Sequence, residues 1–278
     1  MTIVRVMSFN VFSPGELEEE GDEYSPEELL NGWEVRADLN VQTIKRYDPD
    51  LIGFQEMDKE KLDTYLERLG GYAWNKPALE TDQPTLAWKT DRFELADSGT
   101  FWLSSTPDEP TADWNVPYPL SVQWVRLREN EDGAQLLHLN TQFEDGSWGE
   151  LSRQQSSKLT IERTTQMQQD GAPAILTGDF NCNPWSPAYR YFTEAGFVDT
   201  YRDAGHGDSE KSSTFHGLRG EGYFGLEWGG LVYWRVDWIL TSNGAKPVHT
   251  LSCTIARDAQ PPVYPSDHYP VVTELLLD

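Results

Sequence analysis

Apolar positions in this chain come in short runs separated by polar and turn-forming stretches, a pattern that predicts strands more often than helices. Residues 3–8 are apolar enough for a buried strand, and the acidic stretch Glu16 to Glu23 that follows predicts a solvated loop. Ser25-Pro26-Glu27-Glu28 carries two helix-start signals, a Ser before a first-turn Pro and a Glu three residues on, predicting a helix that runs to about Arg46. Asp48-Pro49-Asp50 breaks the chain before a strand at Leu51-Ile52-Gly53-Phe54. Residues 58–69 predict a helix; 85–89, 93–104, 121–128 and 134–143 predict strands; 149–169 predict a polar helix. Ala174-Ile175-Leu176 is a short apolar strand ending in Gly178-Asp179, 186–195 a short helix, and Gly-rich 217–230 a long loop. Strands are expected at 234–241, 249–256 and 270–277. They do not alternate with helices as a doubly wound sheet requires, so the pattern reads as a strand-rich α/β sandwich. The last strand, at 270–277, ends at the C-terminus and leaves nothing for a second domain, so 1–278 is expected to form one domain.

Composition narrows the class. Aromatics make up 12% of the chain, including 11 Trp, enough for a large core and incompatible with general disorder. No apolar run is long enough to span a membrane, and MTIVRVMSFNVF reads as a strand rather than a leader, so a cytoplasmic monomer is expected. Cys182 and Cys253 make no disulfide framework. The net charge is −24, with 8 Lys and 14 Arg. Such a surface repels phosphate backbones and disfavours non-specific nucleic-acid binding. Acid excess with few lysines fits a protein adapted to high salt as well as an ordinary acidic one.

The polar residues of interest stand at the ends of apolar strands, where a rigid scaffold collects catalytic groups. They are Asn10, Glu56, Gln142, Asp179, Asn181, Asp237, Asp267 and His268. Taken singly, each has a plain alternative: Asp179 as a turn residue after Gly178, Glu56 favouring a helix N-terminus, His268 as a surface histidine. Asp237 is harder to dismiss, because Val236, Trp238 and Ile239 flank it and an unpaired carboxylate there is costly. It needs a cation, a His or a metal. Carboxylates, two Asn and one His together suit a hard cation such as Mg²⁺ or Mn²⁺ better than Zn²⁺. Cys182 has no partner at zinc spacing and reads as a packed small residue.

Five ordered motifs carry a resemblance: Ser8-Phe9-Asn10-Val11, Gly53-Phe54-Gln55-Glu56, Gly178-Asp179-Phe180-Asn181, Arg235-Val236-Asp237-Trp238-Ile239 and Ser266-Asp267-His268-Tyr269-Pro270-Val271. In this order they resemble the endonuclease/exonuclease/phosphatase family, with its deoxyribonuclease-like fold. Phe101 to Pro107 and Ser213-Thr214-Phe215-His216-Gly217 resemble a bacterial and archaeal branch of it. The resemblance implies a four-layer αββα sandwich, two mostly antiparallel sheets face to face and flanked by helices. It implies Glu56 as main Mg²⁺ (or Mn²⁺) ligand with Asn10 beside it, and Asp267 assisting metal or water. Asp179 would serve the metal or orient the attacking water, and Asn181 would hold phosphate oxygens. His268 would contact the scissile phosphate, oriented by Asp237. One motif departs from the pattern: the family often reads Asn-Thr-His where this chain has Asn140-Thr141-Gln142. Glutamine cannot titrate, but its amide still donates to a phosphate oxygen. His138, about 13 Å away on the same strand face, is too far to substitute, and is expected to be structural.

The expected reaction is in-line attack of water on a small phosphomonoester or phosphodiester, with a nuclease as the alternative and an inactive binding module as a third reading that rests on Gln142 alone. Trp185, His216, Trp228 and Trp234 are candidates for stacking on a base or sugar, with packing as the plain alternative; Arg153 is expected in a structural ion pair. The loops at 11–25 and 204–233 are expected to set the substrate.

Overall fold

The computed structural model describes residues 1–13, 32–76, 83–222 and 235–278. Strands and helices are numbered in chain order. The first sheet runs in spatial order β11 (Val248–Ile255), β12 (Val271–Leu277), β1 (Thr2–Asn10), β2 (Leu51–Met57), β4 (Gln83–Lys89) and β3 (Tyr72–Asn75). The second runs β5 (Phe93–Trp102), β6 (Ser121–Glu129), β7 (Gln135–Gln142), β8 (Ala174–Asp179), β10 (Asp237–Ser242) and β9 (Val198–Asp199). The pairs β1–β2 and β7–β8 are parallel and the other described pairs antiparallel.

Three apolar layers separate the elements. Helices α1 (Trp33–Tyr47) and α2 (Lys59–Arg68) pack Trp33, Val41, Ile44, Leu62 and Tyr65 on Met7, Phe9, Ile52 and Phe54 of the first sheet. Helices α3 (Glu150–Met167) and α4 (Pro187–Glu194) cover Leu137, Leu139, Leu176, Trp238 and Leu240 of the second. Between the sheets, Val4, Val6, Leu51 and Leu86 meet Val125, Leu127, Leu136, Ile175 and Ile239. The expected αββα sandwich is therefore present, and the predicted strands and helices fall within a few residues of the observed ones. The predicted start at Ser25 lies outside the described residues, as does the loop at Glu16 to Glu23. Strands β3 and β9 and the short helix α5 (Thr200–Asp203) were not foreseen.

Alternation along the strands positions the site. Side chains at every second residue share a face, and each inner face turns from apolar to polar toward one end. On β1 it runs Val4, Val6, Ser8, Asn10; on β7, Leu136, His138, Asn140, Gln142; on β8, Ile175, Thr177, Asp179. At the changeover the sheets approach closely. A Cβ on Gly53 would stand 2.0 Å from Thr177 Oγ1. Beside it, Asn140 donates to Phe54 O (2.6 Å) and Thr85 O (3.1 Å) and accepts from Gln55 Nε2 (2.7 Å) and Thr177 Oγ1 (3.0 Å). This buried amide thus satisfies all four of its hydrogen-bonding positions, three of them across to the first sheet and one within the second.

A candidate active site across the two sheets

The polar strand ends converge on a cavity of about 500 Å³ lined by Glu56, Gln142, Asp145, Asp179, Asn181, Asp267 and His268, among others. Pairing brings this about: β8 places Asp179 opposite Gln142 on one side and opposite Asp237 on the other. Every predicted site residue therefore falls at one end of the sandwich. A second cavity, of about 430 Å³, contains Thr2, Glu129, Lys246 and Asp278 in its wall and none of these residues.

Asn10 spans two carboxylates. Its Nδ2 donates to Glu56 Oε1 at 2.8 Å and to Asp179 Oδ2 at 3.0 Å, while Oδ1 accepts from Phe12 N at 2.9 Å. That last bond fixes which way the amide points, so Asn10 turns N–H rather than oxygen to the carboxylates. Glu56 also accepts from Gln142 Nε2 (2.8 Å) and Ser13 N (2.6 Å). Asn181 N donates to Asp179 Oδ1 at 3.0 Å, and Asn181 Nδ2 to Phe143 O at 2.9 Å. Gln142 and Asn181 each carry a second amide hydrogen that these bonds do not use. Phe12, Glu56 and Asn181 hold φ values of 58°, 59° and 47°, left-handed backbone that is costly for non-glycine residues and gathers at functional sites.

His268 Nδ1 lies 2.8 Å from Asp237 Oδ2, and its Nε2 3.9 Å from Asp179 Oδ2 and 4.0 Å from Asp267 Oδ1. Burial lowers the imidazole pKa, but Asp237, Asp267 and Asp179 outweigh it and hold His268 well above its ordinary value. Burial pushes Asp179 up to about 8, with Asp237 and Glu56 adding and His268 opposing. Burial likewise raises Asp267 to about 6, Glu56 adding to it. Asp237 Oδ1 is buried without a hydrogen-bond partner.

These features test whether a divalent cation fits. Asp179, Asp237 and His268 offer ligand atoms within 4.8 Å of one another, but the His268–Asp237 bond already occupies two of them. The cation-compatible face is that of Glu56, Asp179 and Asp267, three carboxylates gathered on one cavity with His268 beside two of them. An all-oxygen donor set of this kind suits Mg²⁺ or Mn²⁺.

Several residues that hold the site were not assigned a role from sequence. Buried Arg36 donates to Val11 O (3.0 Å), Phe12 O (3.1 Å) and Pro265 O (2.8 Å), tying the segments after β1 and before β12 together. Ser266 Oγ donates to Asn10 O at 2.7 Å. Thr214 Oγ1 accepts from Val236 N (3.0 Å) and Asp237 N (3.1 Å), fixing the start of β10. A buried arginine on an amphipathic helix carries no sequence mark distinguishing it from a surface one; Ser266 and Thr214 lie inside motifs whose other members drew attention.

Other expectations also find their places. His138 is buried with Nε2 3.1 Å from Thr177 Oγ1, and burial lowers its pKa to about 3, so it is a neutral core residue. Arg153 donates to Glu144 O (2.7 Å) and Gly146 O (3.0 Å) and stands 3.6 Å from Glu150, ordering the segment after β7. Burial lifts the Cys182 thiol to about 12, consistent with packing. His216 packs against Tyr269 and Tyr264, with ring centroids 4.0 and 5.0 Å away. Trp185 is 58% exposed, and Trp228 and Trp234 lie outside the described residues. No helix among the described residues is long and apolar enough to cross a membrane.

Known proteins resemble this chain in sequence and in fold. The model of the Endonuclease/Exonuclease/phosphatase family matches residues 7–268. Nocturnin of Xenopus laevis is 28% identical over 298 residues, covering 97% of this chain and 71% of its own length. The CCR4-Not complex 3'-5'-exoribonuclease subunit Ccr4 of Schizosaccharomyces pombe is 22% identical, and the match spans 71% of this chain but only 36% of that relative. Among solved structures, an endonuclease/exonuclease/phosphatase family protein from Bacteroides thetaiotaomicron superposes with TM-score 0.81 at 26% identity, covering 100% of this chain and 96% of its own. A mannosyl-6-phosphatase of Bacteroides thetaiotaomicron VPI-5482 gives TM-score 0.80 at 25% identity, covering 98% and 99%.

Proposed function

Because this chain belongs to the endonuclease/exonuclease/phosphatase family of metal-dependent phosphoester hydrolases, we propose that it hydrolyses small phosphomonoesters or phosphodiesters with Mg²⁺ or Mn²⁺, residues 1–278 forming one catalytic domain. The carrying observation is the convergence of Glu56, Asp179, Asp267 and His268 on one cavity in a chain of net charge −24. Such a surface disfavours a polyanion, whereas a small ester meets only the cavity itself.

Glu56 is the principal metal ligand in this reading, with Asp179 and Asp267 beside it and Asn10 and Gln142 holding the Glu56 carboxylate. A bound Mg²⁺ or Mn²⁺ would neutralise charge on the phosphoryl oxygens and on the leaving oxygen. Asp179 accepts a hydrogen from the attacking water and orients it in line. As the water oxygen joins phosphorus and its proton passes to Asp179, the ester P–O bond breaks and the leaving alkoxide takes a proton from solvent. His268, held positive by Asp237, donates Nε2–H to a phosphoryl oxygen, and the amides of Asn181 and Gln142 donate to others; such preorganised donors are worth about 2–4 kcal/mol each in the transition state.

The test is a panel of phosphoesters and nucleic acids with Mg²⁺ or Mn²⁺ at low and at molar salt. Turnover of small esters that is abolished by Glu56→Gln and Asp179→Asn supports the reading. Equal turnover by these variants and the parent overturns the assigned site. Cleavage of RNA or DNA with no small-ester turnover supports instead the nuclease reading, to which Ccr4, an exoribonuclease subunit by name, gives weight.

A further inference from the structure

The segment after β9 brings a cation to this acidic cavity. Among the described residues that line it, Arg219 is the only arginine or lysine, set among Glu56, Asp145, Asp179 and Asp267. Its placement is built rather than incidental. His216 N and Gly217 N both donate to Asp267 O, at 2.8 and 3.2 Å, so the segment hangs from a residue of the site. Arg219 N donates to His216 O at 2.9 Å, and Gly220 N donates to His216 Nδ1 at 3.2 Å. Gly217, Leu218 and Gly220 take φ values of 54°, 60° and 65°, a left-handed course that curls the chain tightly around Arg219. For Leu218 that backbone is unfavourable and persists only where the surroundings hold it. The His216 ring that anchors the curl is itself buried against Tyr269. Arg219 is exposed and lines the cavity.

We propose that Arg219 is a specificity-determining residue that recognises the third unesterified oxygen of a terminal phosphate, so that the site selects phosphomonoesters over phosphodiesters. The proposal rests on the reading of this cavity as the phosphoester site. A monoester's phosphoryl group carries three unesterified oxygens and about two charges at neutral pH; a diester carries two such oxygens and one charge. A cation held at Glu56, together with the Gln142 and Asn181 amides, would take one oxygen, and His268 a second. Only the monoester then has a charged oxygen left for Arg219, whose planar fork matches phosphate geometry. In a diester that third oxygen bears carbon and cannot serve as a charged acceptor.

The experiment compares the full chain with Arg219→Gln and Arg219→Lys on p-nitrophenyl phosphate and bis(p-nitrophenyl) phosphate, with calorimetric titration of inorganic phosphate alongside. Arg219→Gln is expected to lower kcat/KM for the monoester by about 30-fold, mainly through KM, and to weaken phosphate binding by a similar factor. Diester kcat/KM is expected to stay within about threefold, since a diester offers Arg219 no third charged oxygen to lose. Arg219→Lys should fall between, keeping charge but losing the fork. Equal losses on both esters, or no loss on the monoester, overturn the assignment. If the parent hydrolyses neither ester, the small-ester function falls, and the phosphate titration still decides Arg219: unchanged affinity in Arg219→Gln overturns its role.

Discussion

His268 Nδ1 and Asp237 Oδ2 stand 2.8 Å apart with both side chains buried. Burial alone would leave this imidazole neutral; the Asp237 carboxylate, with Asp267 and Asp179 behind it, keeps the proton on. Asp237→Asn keeps the shape and removes the charge. It is expected to lower kcat by about 100-fold or more and to move the His268 titration to lower pH in NMR spectra. Unchanged values of both would show that the pair only packs.

Gln142 supports Glu56 through a 2.8 Å hydrogen bond and faces the cavity. Gln142→Ala should lower kcat by about 100-fold while leaving activity metal-dependent. Because glutamine does not titrate, the pH–rate profile of Gln142→Ala should keep the limbs of the parent profile. Rate measurements across pH 5–9 check both points.

The close approach at Gly53 predicts a stability effect away from the chemistry. A methyl group there meets Thr177 Oγ1 at 2.0 Å and Asn140 Oδ1 at 2.5 Å, neither of them the free end of a long side chain. Gly53→Ala is expected to destabilise by about 1–3 kcal/mol or more, read as a lower urea midpoint. Gly70→Ala, where nothing lies within 4 Å, serves as the tolerant control.

Burial depresses the pKa of His138 to about 3 in the folded protein, below the ordinary value of about 6.5 expected of an unfolded chain. As pH falls below the unfolded value, the unfolded chain takes up a proton that the native His138 refuses until about pH 3. Stability is therefore intact above about pH 6.5 and declines as pH falls through that window, by about 1.4 kcal/mol per pH unit for this group. His138→Gln should flatten the difference between urea midpoints at pH 7 and pH 5. His216, lowered to about 3 mainly by burial, adds a second contribution that persists in the variant.

β1, β7 and β8 were legible as apolar runs because both faces of each meet a core layer, and α3 as a long polar run without Pro or Gly. β3 and β9 were not: four and two residues long, they lie at sheet edges and are paired on one side only. Their existence depends on the neighbour strand rather than on their own pattern. The acidic and amide residues of the site were legible as polar endings to apolar strands. What the sequence could not show is which of their atoms face each other. Asn10 was expected as a ligand beside Glu56, and it is the Phe12 N–H, a backbone group set by a left-handed φ, that turns its amide nitrogen toward the carboxylates. Arg36 and Arg219 escaped notice for a related reason, since an arginine's use depends on the backbone carbonyls or the cavity brought beside it by distant segments.

The order of strands in the first sheet has a consequence for how the molecule comes to life during synthesis. β12 is inserted between β11 and β1, and Asp267 and His268 immediately precede it. A growing chain carries Asn10, Glu56, Asp179 and Asp237 before His268 can join them, because the imidazole reaches them only when β12 pairs against β1.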